Sequence, residues 1–321
     1  MTSRPMGWSR SPRSPADDAV LALLLEVAGT PKPGNVDRER DLSDLRFESF
    51  LGGAVGARGG LERAARGGRV GVAFEHAVRG MADRARTNTQ FGCLLLLVPL
   101  IAATVEGELT PDGVDRVTRA TTVDDAVDFY TAFEHVDVAV GDPPADAAAL
   151  DVRRGGDAAP ALRERGSTLR DVMALDADRR PADADRIADR NAQEWVEGFP
   201  RSFRAASRIV ADEGPIADRA ARAFVLQLAT EPDTLVATAH DPATAQATSR
   251  RAAGLLAGTS GSVDDPDPGT VPDPLADHVD VAAAEELAGT FVDEGINPGT
   301  TADLTCAGLY VALRRGVEVG G

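Results

Sequence analysis

Residues 93–105 form the longest apolar stretch of the chain, thirteen positions of mostly Leu, Val, Ile and Ala with Pro99 inside and no charge. A membrane span takes about 20 such residues, so this stretch is too short to cross a bilayer and reads as a helix buried in protein. A helix that is apolar on every side needs neighbours on every side, and the remaining sequence must supply them. Ala provides much of the 43% hydrophobic content, while aromatics reach only 4%. Small side chains let helices approach closely, whereas strands favour β-branched and aromatic residues.

Helix start and stop signals recur along the chain. Ser14 caps a first helix, Pro15 suits its opening position, Asp17 and Asp18 favour its positive end, and Gly29 and Pro31 stop it. Segments 45–66 and 72–86 follow. Thr87-Asn88-Thr89 then offers a cap to the buried helix, which Pro99 is expected to kink. Further helices are expected over 110–138, 160–174, 183–212, 214–230, 241–257, 276–294 and 300–315, with a Gly/Asp/Pro-rich surface loop over 258–274. Gly52, Gly53, Gly56, Gly59 and Gly60 would let a helix or a ligand approach the backbone of their segment closely. No alternating β-branched runs line up as a sheet and no repeat is visible. The expectation is an all-α fold, a single multi-helix globular domain over 16–321 behind a disordered tail over 1–15.

The net charge is −17, Asp greatly outnumbers Glu, and Lys32 is the only lysine. Such a surface repels nucleic acid and anionic membranes, and repels itself until salt screens it; at about 1 M the Debye length is near 3 Å. This balance points to a salt-adapted cytoplasm. Cys93 and Cys306 are too few for a disulfide scaffold or a metal knuckle and read as small buried residues. The first residues carry no apolar core of a signal peptide.

Four stretches carry candidate chemistry. In the first, Pro31 and Pro33 stiffen the backbone around Lys32 beside Gly34. A compact ammonium kept in an otherwise arginine-only chain suits a phosphate oxygen or a single oriented hydrogen bond, where a planar fork would not fit. In the second, Asp37, Asp41 and Asp44 lie close enough in sequence to share Mg²⁺ with substrate oxygens. The third, Thr87–Gly92, and the fourth, Asn297–Leu304, are Gly/Thr turns that open helices; by local sequence they are either ordinary caps or places where free N–H groups receive anions.

Taken in order, from about residue 20 to 315, these stretches resemble the triphosphoribosyl-dephospho-CoA synthase family, in a diverged archaeal-type form. The likeness rests on Glu26, Pro31-Lys32-Pro33-Gly34, Val36-Asp37, Asp44, Phe47 and Ser49, and on Asp233-Thr234. It extends to Asn88-Thr89-Gln90-Phe91-Gly92, where the family has Asn-Thr-His-Lys-Gly. At Asn297-Pro298-Gly299-Thr300-Thr301-Ala302-Asp303-Leu304 the family has Ser-Pro-Gly-Gly-Ser-Ala-Asp-Leu. The resemblance implies an all-α enzyme that moves the triphosphoribosyl part of ATP onto a ribose hydroxyl of dephospho-CoA, releasing adenine, with Mg²⁺. It implies Glu26, Asp37 and Asp44 as catalytic residues. Lys32, Gly34, Asn88, Thr89, Gly299 and Thr300 would hold the nucleotide, and Asp37, Asp44 and Asp303 the metal. Where the family has basic or proton-transferring side chains this sequence has Leu42, Gln90, Phe91 and Ala239. Two other readings follow from those departures: a nucleotide-binding regulator without turnover, or an ATP-dependent transferase of another coenzyme pathway.

Overall fold

The structure is a computed structural model that describes residues 13–141, 145–177, 187–257 and 278–319. Its helices are α1 Pro15–Ala28, α2 Phe47–Ala65, α3 Val70–Ala85, α4 Phe91–Val105, α5 Pro111–Arg119, α6 Val123–Ala132, α7 Ala159–Arg165, α8 Leu169–Ala177 and α9 Arg190–Glu197. They continue with α10 Pro200–Ala211, α11 Ile216–Thr230, α12 Thr234–Ala239, α13 Pro242–Ala253, α14 Val281–Asp293 and α15 Gly299–Arg314. Two short 3₁₀ segments, Ala145–Leu150 and Val152–Ala158, precede α7. The strands among the described residues are β1 Leu256–Ala257 and β2 His278–Val279, an antiparallel pair. The all-α expectation holds. Most of the tail and all of the 258–274 loop lie outside the described residues.

The buried stretch becomes α4, with eleven of its fifteen residues buried. Pro99 remains inside it and removes the N–H that would bond the Leu95 carbonyl. The indole Nε1 of Trp195 donates to that carbonyl instead, at 3.3 Å. α15 is the second central helix, buried at nearly every position after Gly299, and Tyr310 on it shares a 2.7 Å hydrogen bond with Thr104 on α4. α1 closes against α15 through Asp18, which pairs with Arg13 at 2.5 Å and Arg314 at 2.8 Å. The glycine-rich α2 uses its missing side chains for helix packing: a Cβ on Gly56 would strike the Gly80 carbonyl of α3. A second apolar cluster, around Phe224, Leu228 and Phe291, joins α11 to α14.

Three expected helices are broken; the 160–174 segment divides into α7 and α8 at Gly166, left-handed with φ of 65°. The 110–138 segment restarts at Thr122, whose hydroxyl accepts from Asp125 N at 3.2 Å while the Asp125 carboxylate accepts from Thr122 N at 2.8 Å. That reciprocal cap begins α6. The 183–212 segment turns at Gly198 and Phe199, both left-handed with φ of 80° and 63°. Phe199 is fully buried, so tertiary packing holds a conformation that helix propensity alone would not choose. Among the described residues, no helix is long and apolar enough to cross a membrane.

Candidate active site

Glu26 lies four residues after Ala22 and three after Leu23, on the buried face of α1, so the helix carries a carboxylate into the interior. The chain then turns through the proline-rich loop. Gly34 has φ of 79°, and a side chain there would collide with the Ile296 carbonyl, so this glycine serves close packing of the loop on the 296–298 segment. Asn35 Nδ2 donates to Asn297 Oδ1 at 2.8 Å, joining the first and fourth stretches.

Within this loop every charge is answered. The Lys32 ammonium is only 1% exposed; it pairs with Glu26 and donates to Asn35 Oδ1 at 2.8 Å. Asp37, with no exposed surface, accepts from Thr30 Oγ1 at 2.8 Å, Lys32 N at 3.2 Å, Glu39 N at 2.8 Å and an Arg40 guanidinium at 3.1 Å. Burial pushes the Glu26 carboxyl up, against the pull of the Lys32 charge. Where a phosphate contact is expected of Lys32, its ammonium points at Glu26 and Asn35. Where a metal contact is expected of Asp37, its oxygens clamp the loop.

The opposite wall is built from α9, α4 and the start of α15. Asp303, in the first turns of α15, accepts from Asn191 Nδ2 at 2.9 Å and from the Cys93 thiol at 3.2 Å. Gly92 makes the space, since a Cβ there would overlap the Asp303 carboxylate and approach Asn191 Nδ2. Burial raises the Asp303 pKa to about 7, helped by the charges of Glu26 and Asp233, with the two hydrogen bonds opposing. Asp189, at the N-cap of α9, rises by burial to about 6. The Cys93 thiol is pushed up by its hydrogen bond with Cys306 and by burial. Asp233 staples the wall: one oxygen accepts from Leu235 N and Val236 N, the other from the Thr301 amide and hydroxyl, both at 2.7 Å. Thr300 Oγ1 meets Thr234 Oγ1 at 2.9 Å, which docks α12 on α15.

Between these walls lies a cavity of about 540 Å³. Glu26, Asp44, Asn88, Thr89, Gly299, Thr300 and Asp303 line it, so four distant stretches of sequence meet around one space. Lys32, Gly34 and Asp37 stand behind its wall. Gln90 also turns away, donating to the Leu23 carbonyl at 3.2 Å, and Leu42 joins a small apolar cluster with Val36 and Phe50. The described lining carries six carboxylates (Glu26, Asp44, Asp137, Asp176, Asp189 and Asp303) and neither Lys nor Arg. Among the described residues, no three His, Cys, Asp or Glu side chains converge as a ready metal site, so the trio Asp37, Asp44 and Asp303 is not assembled. Asn191 and Asp189 went unread in the sequence; the one local signal is Asp189 as a helix cap.

The family model of ATP:dephospho-CoA triphosphoribosyl transferases, CitG, matches residues 12–319. The fold is similar to the crystal structure of a candidate triphosphoribosyl-dephospho-CoA synthase from Archaeoglobus fulgidus. That likeness has a TM-score of 0.58 at 22% identity and covers 84% of this chain and 100% of that one. No curated protein matches the chain.

Proposed function

The chain belongs to the ATP:dephospho-CoA triphosphoribosyl transferase family, and from that premise we propose that the cavity described above is where the transfer takes place. A ribose hydroxyl of dephospho-CoA attacks C1′ of ATP. The C1′–O bond forms, the bond from C1′ to adenine breaks with its electron pair going to the base ring, the hydroxyl proton passes to a carboxylate, and adenine takes up a proton from solvent. The observation that carries this assignment is the meeting of Glu26, Asp44, Asn88, Thr89, Gly299, Thr300 and Asp303 around one space.

The charge of the lining fits the chemistry at C1′. Such displacements pass through an oxocarbenium-like state, and fixed carboxylates in a poorly hydrated site stabilise developing positive charge. Asp303 is the base in this reading. Its pKa of about 7 balances readiness to accept a proton against strength as an acceptor, and Asn191 and Cys93 orient it. Lys32, paired with Glu26, fixes Asn35 at the cavity's edge.

The same lining opposes the triphosphate unless cations accompany it. The donor set is all oxygen, which suits Mg²⁺, and Mg²⁺ commonly takes one or two carboxylates and completes its shell with waters and phosphate oxygens. Asp44, an exposed carboxylate of the wall, would hold it. When bound, it would neutralise triphosphate charge. The N-terminal ends of α4 and α15, presented through Asn88, Thr89, Gly299 and Thr300, would receive the phosphates.

Adenine release from ATP, with dephospho-CoA and with other nucleotides as acceptors, in high KCl with Mg²⁺, tests this reading. Absence of release with every acceptor overturns it. A second reading, a nucleotide-binding regulator, is favoured by Gln90 turning into the core, where its amide donates to the Leu23 carbonyl and to no phosphate. ATP binding without adenine release would establish it. We also read the chain as a cytoplasmic protein of a salt-rich cell, with small nucleotides rather than nucleic acid or membranes as partners, on the net charge of −17 and the single lysine. Its melting temperature is expected to rise from dilute buffer to molar KCl; a flat dependence removes this part.

A further inference from the structure

The cavity has one side unlike the rest. α6, the segment after it and α8 contribute Phe133, Val138, Val140, Val172 and Met173, while α4 adds Phe91. Phe91 and Phe133 meet at 4.9 Å between ring centroids and 62° between planes, and Phe129 braces both, at 6.3 and 5.2 Å. Phe133 is only partly buried, so this braced ring keeps surface for a ligand. At the margin of this side Asn88 Nδ2 donates to the Asp137 carbonyl at 3.3 Å, and Asp137 is exposed.

We infer that this side is a purine subsite in which Phe133 and its braced neighbours pack the flat face of an adenine ring while the exposed Asp137 meets its polar edge. The inference rests on the transferase reading, since both donor and acceptor of that reaction carry adenine. A pantetheine arm fits less well, because its amides would lie against Val and Met side chains that cannot hydrogen-bond, and unpaired amides are costly to bury. A purine confines its hydrogen bonding to its edge and offers π-faces to aromatic rings. Base–aromatic stacking is worth about 1–3 kcal/mol.

Calorimetry in molar KCl, on the full chain, tests the subsite with free adenine, ATP, dephospho-CoA and pantetheine as separate probes. Phe133→Ala is expected to weaken adenine binding roughly tenfold or more, and Phe133→Leu, which keeps the bulk without the ring, to weaken it similarly. Phe133→Tyr should retain it. Whichever of ATP and dephospho-CoA weakens alongside adenine is the source of the bound base. Unchanged adenine affinity in Phe133→Ala and Phe133→Leu overturns the inference, as does wild-type protein that binds pantetheine but not adenine. Either result leaves the transferase reading standing if wild-type protein releases adenine from ATP. Failure of that release sinks the transferase reading alone, because direct adenine binding does not depend on turnover.

Discussion

The Pro31–Asp37 loop and the wall of Asn191 and Asp303 both bring carboxylates out of water, and they treat them in opposite ways. In the loop, Asp37 has three hydrogen bonds from its neighbours and an arginine, and Glu26 has the ammonium of Lys32. On the wall, Asp303 has one amide and one thiol, and no cation. Asn191 Oδ1 is left without a partner. Buried polar groups in folded proteins are overwhelmingly paired. A saturated loop is therefore a piece of scaffold, and an underpaired wall is a place where substrate completes the bonding.

The strongest way to break this contrast is Asp303→Asn. Loss of a positioned proton acceptor should lower adenine release by roughly 10²–10⁴-fold, with no fall in the melting temperature at neutral pH. An active Asp303→Asn protein would return the wall to the category of scaffold.

The reverse experiment is Asp37→Ala. Three donors and Arg40 would lose their acceptor, and the fold should weaken by about 3 kcal/mol in denaturant titrations at constant high salt. ATP affinity of the protein that remains folded should be nearly unchanged. If Asp37→Ala instead abolishes Mg-ATP binding at full stability, the loop belongs to the chemistry after all.

Acidity sharpens the same contrast. Asp303 has a folded pKa of about 7 against a reference of 3.8. The folded state therefore holds that proton more tightly than the unfolded one. Its contribution to stability is present below the reference value and is lost as pH rises through about 7. Asp303→Asn should show a smaller fall in stability over that interval, by at most a few kcal/mol. kcat/KM of the wild type should rise with pH through the same region. Parallel stability curves for the two proteins would remove Asp303 as the titrating group.

The smallest expected effect is that of Lys32→Arg. A larger fork must fit where an ammonium meets Glu26 and Asn35, and overpacking typically costs about 1–3 kcal/mol. The melting temperature should fall while ATP affinity is retained; the opposite pattern would place position 32 at the substrate.

Position 32 also marks how far the sequence could be read. The single lysine singled out a position whose ammonium is buried against a carboxylate and an amide. Composition cannot distinguish a phosphate from a buried carboxylate as the ammonium's partner, because both are anionic oxygens. The α4 helix was legible because thirteen apolar residues without charge leave little choice. Asn191 was not, since its meaning depends on Asp303, 112 residues away, and it follows a run of Asp and Arg with no pattern of its own. The turn at Phe199 was hidden for a related reason: a left-handed aromatic is chosen by the pocket that buries it.

The bond from Trp195 to Leu95 has an optical consequence. Of the chain's two tryptophans, Trp8 lies outside the described residues, and Trp195 is 1% exposed. Trp195 lies one helical turn beyond Asn191 on the same face of α9, so the helix that presents the amide to Asp303 also carries the chromophore. Its indole N–H is held by a carbonyl that is free only because Pro99 cannot use it. A shift of α9 against α4 would stretch that bond and change the polarity felt by the excited indole. Emission from Trp195 thus serves as a built-in gauge of the wall's position, readable in molar salt and without any added label.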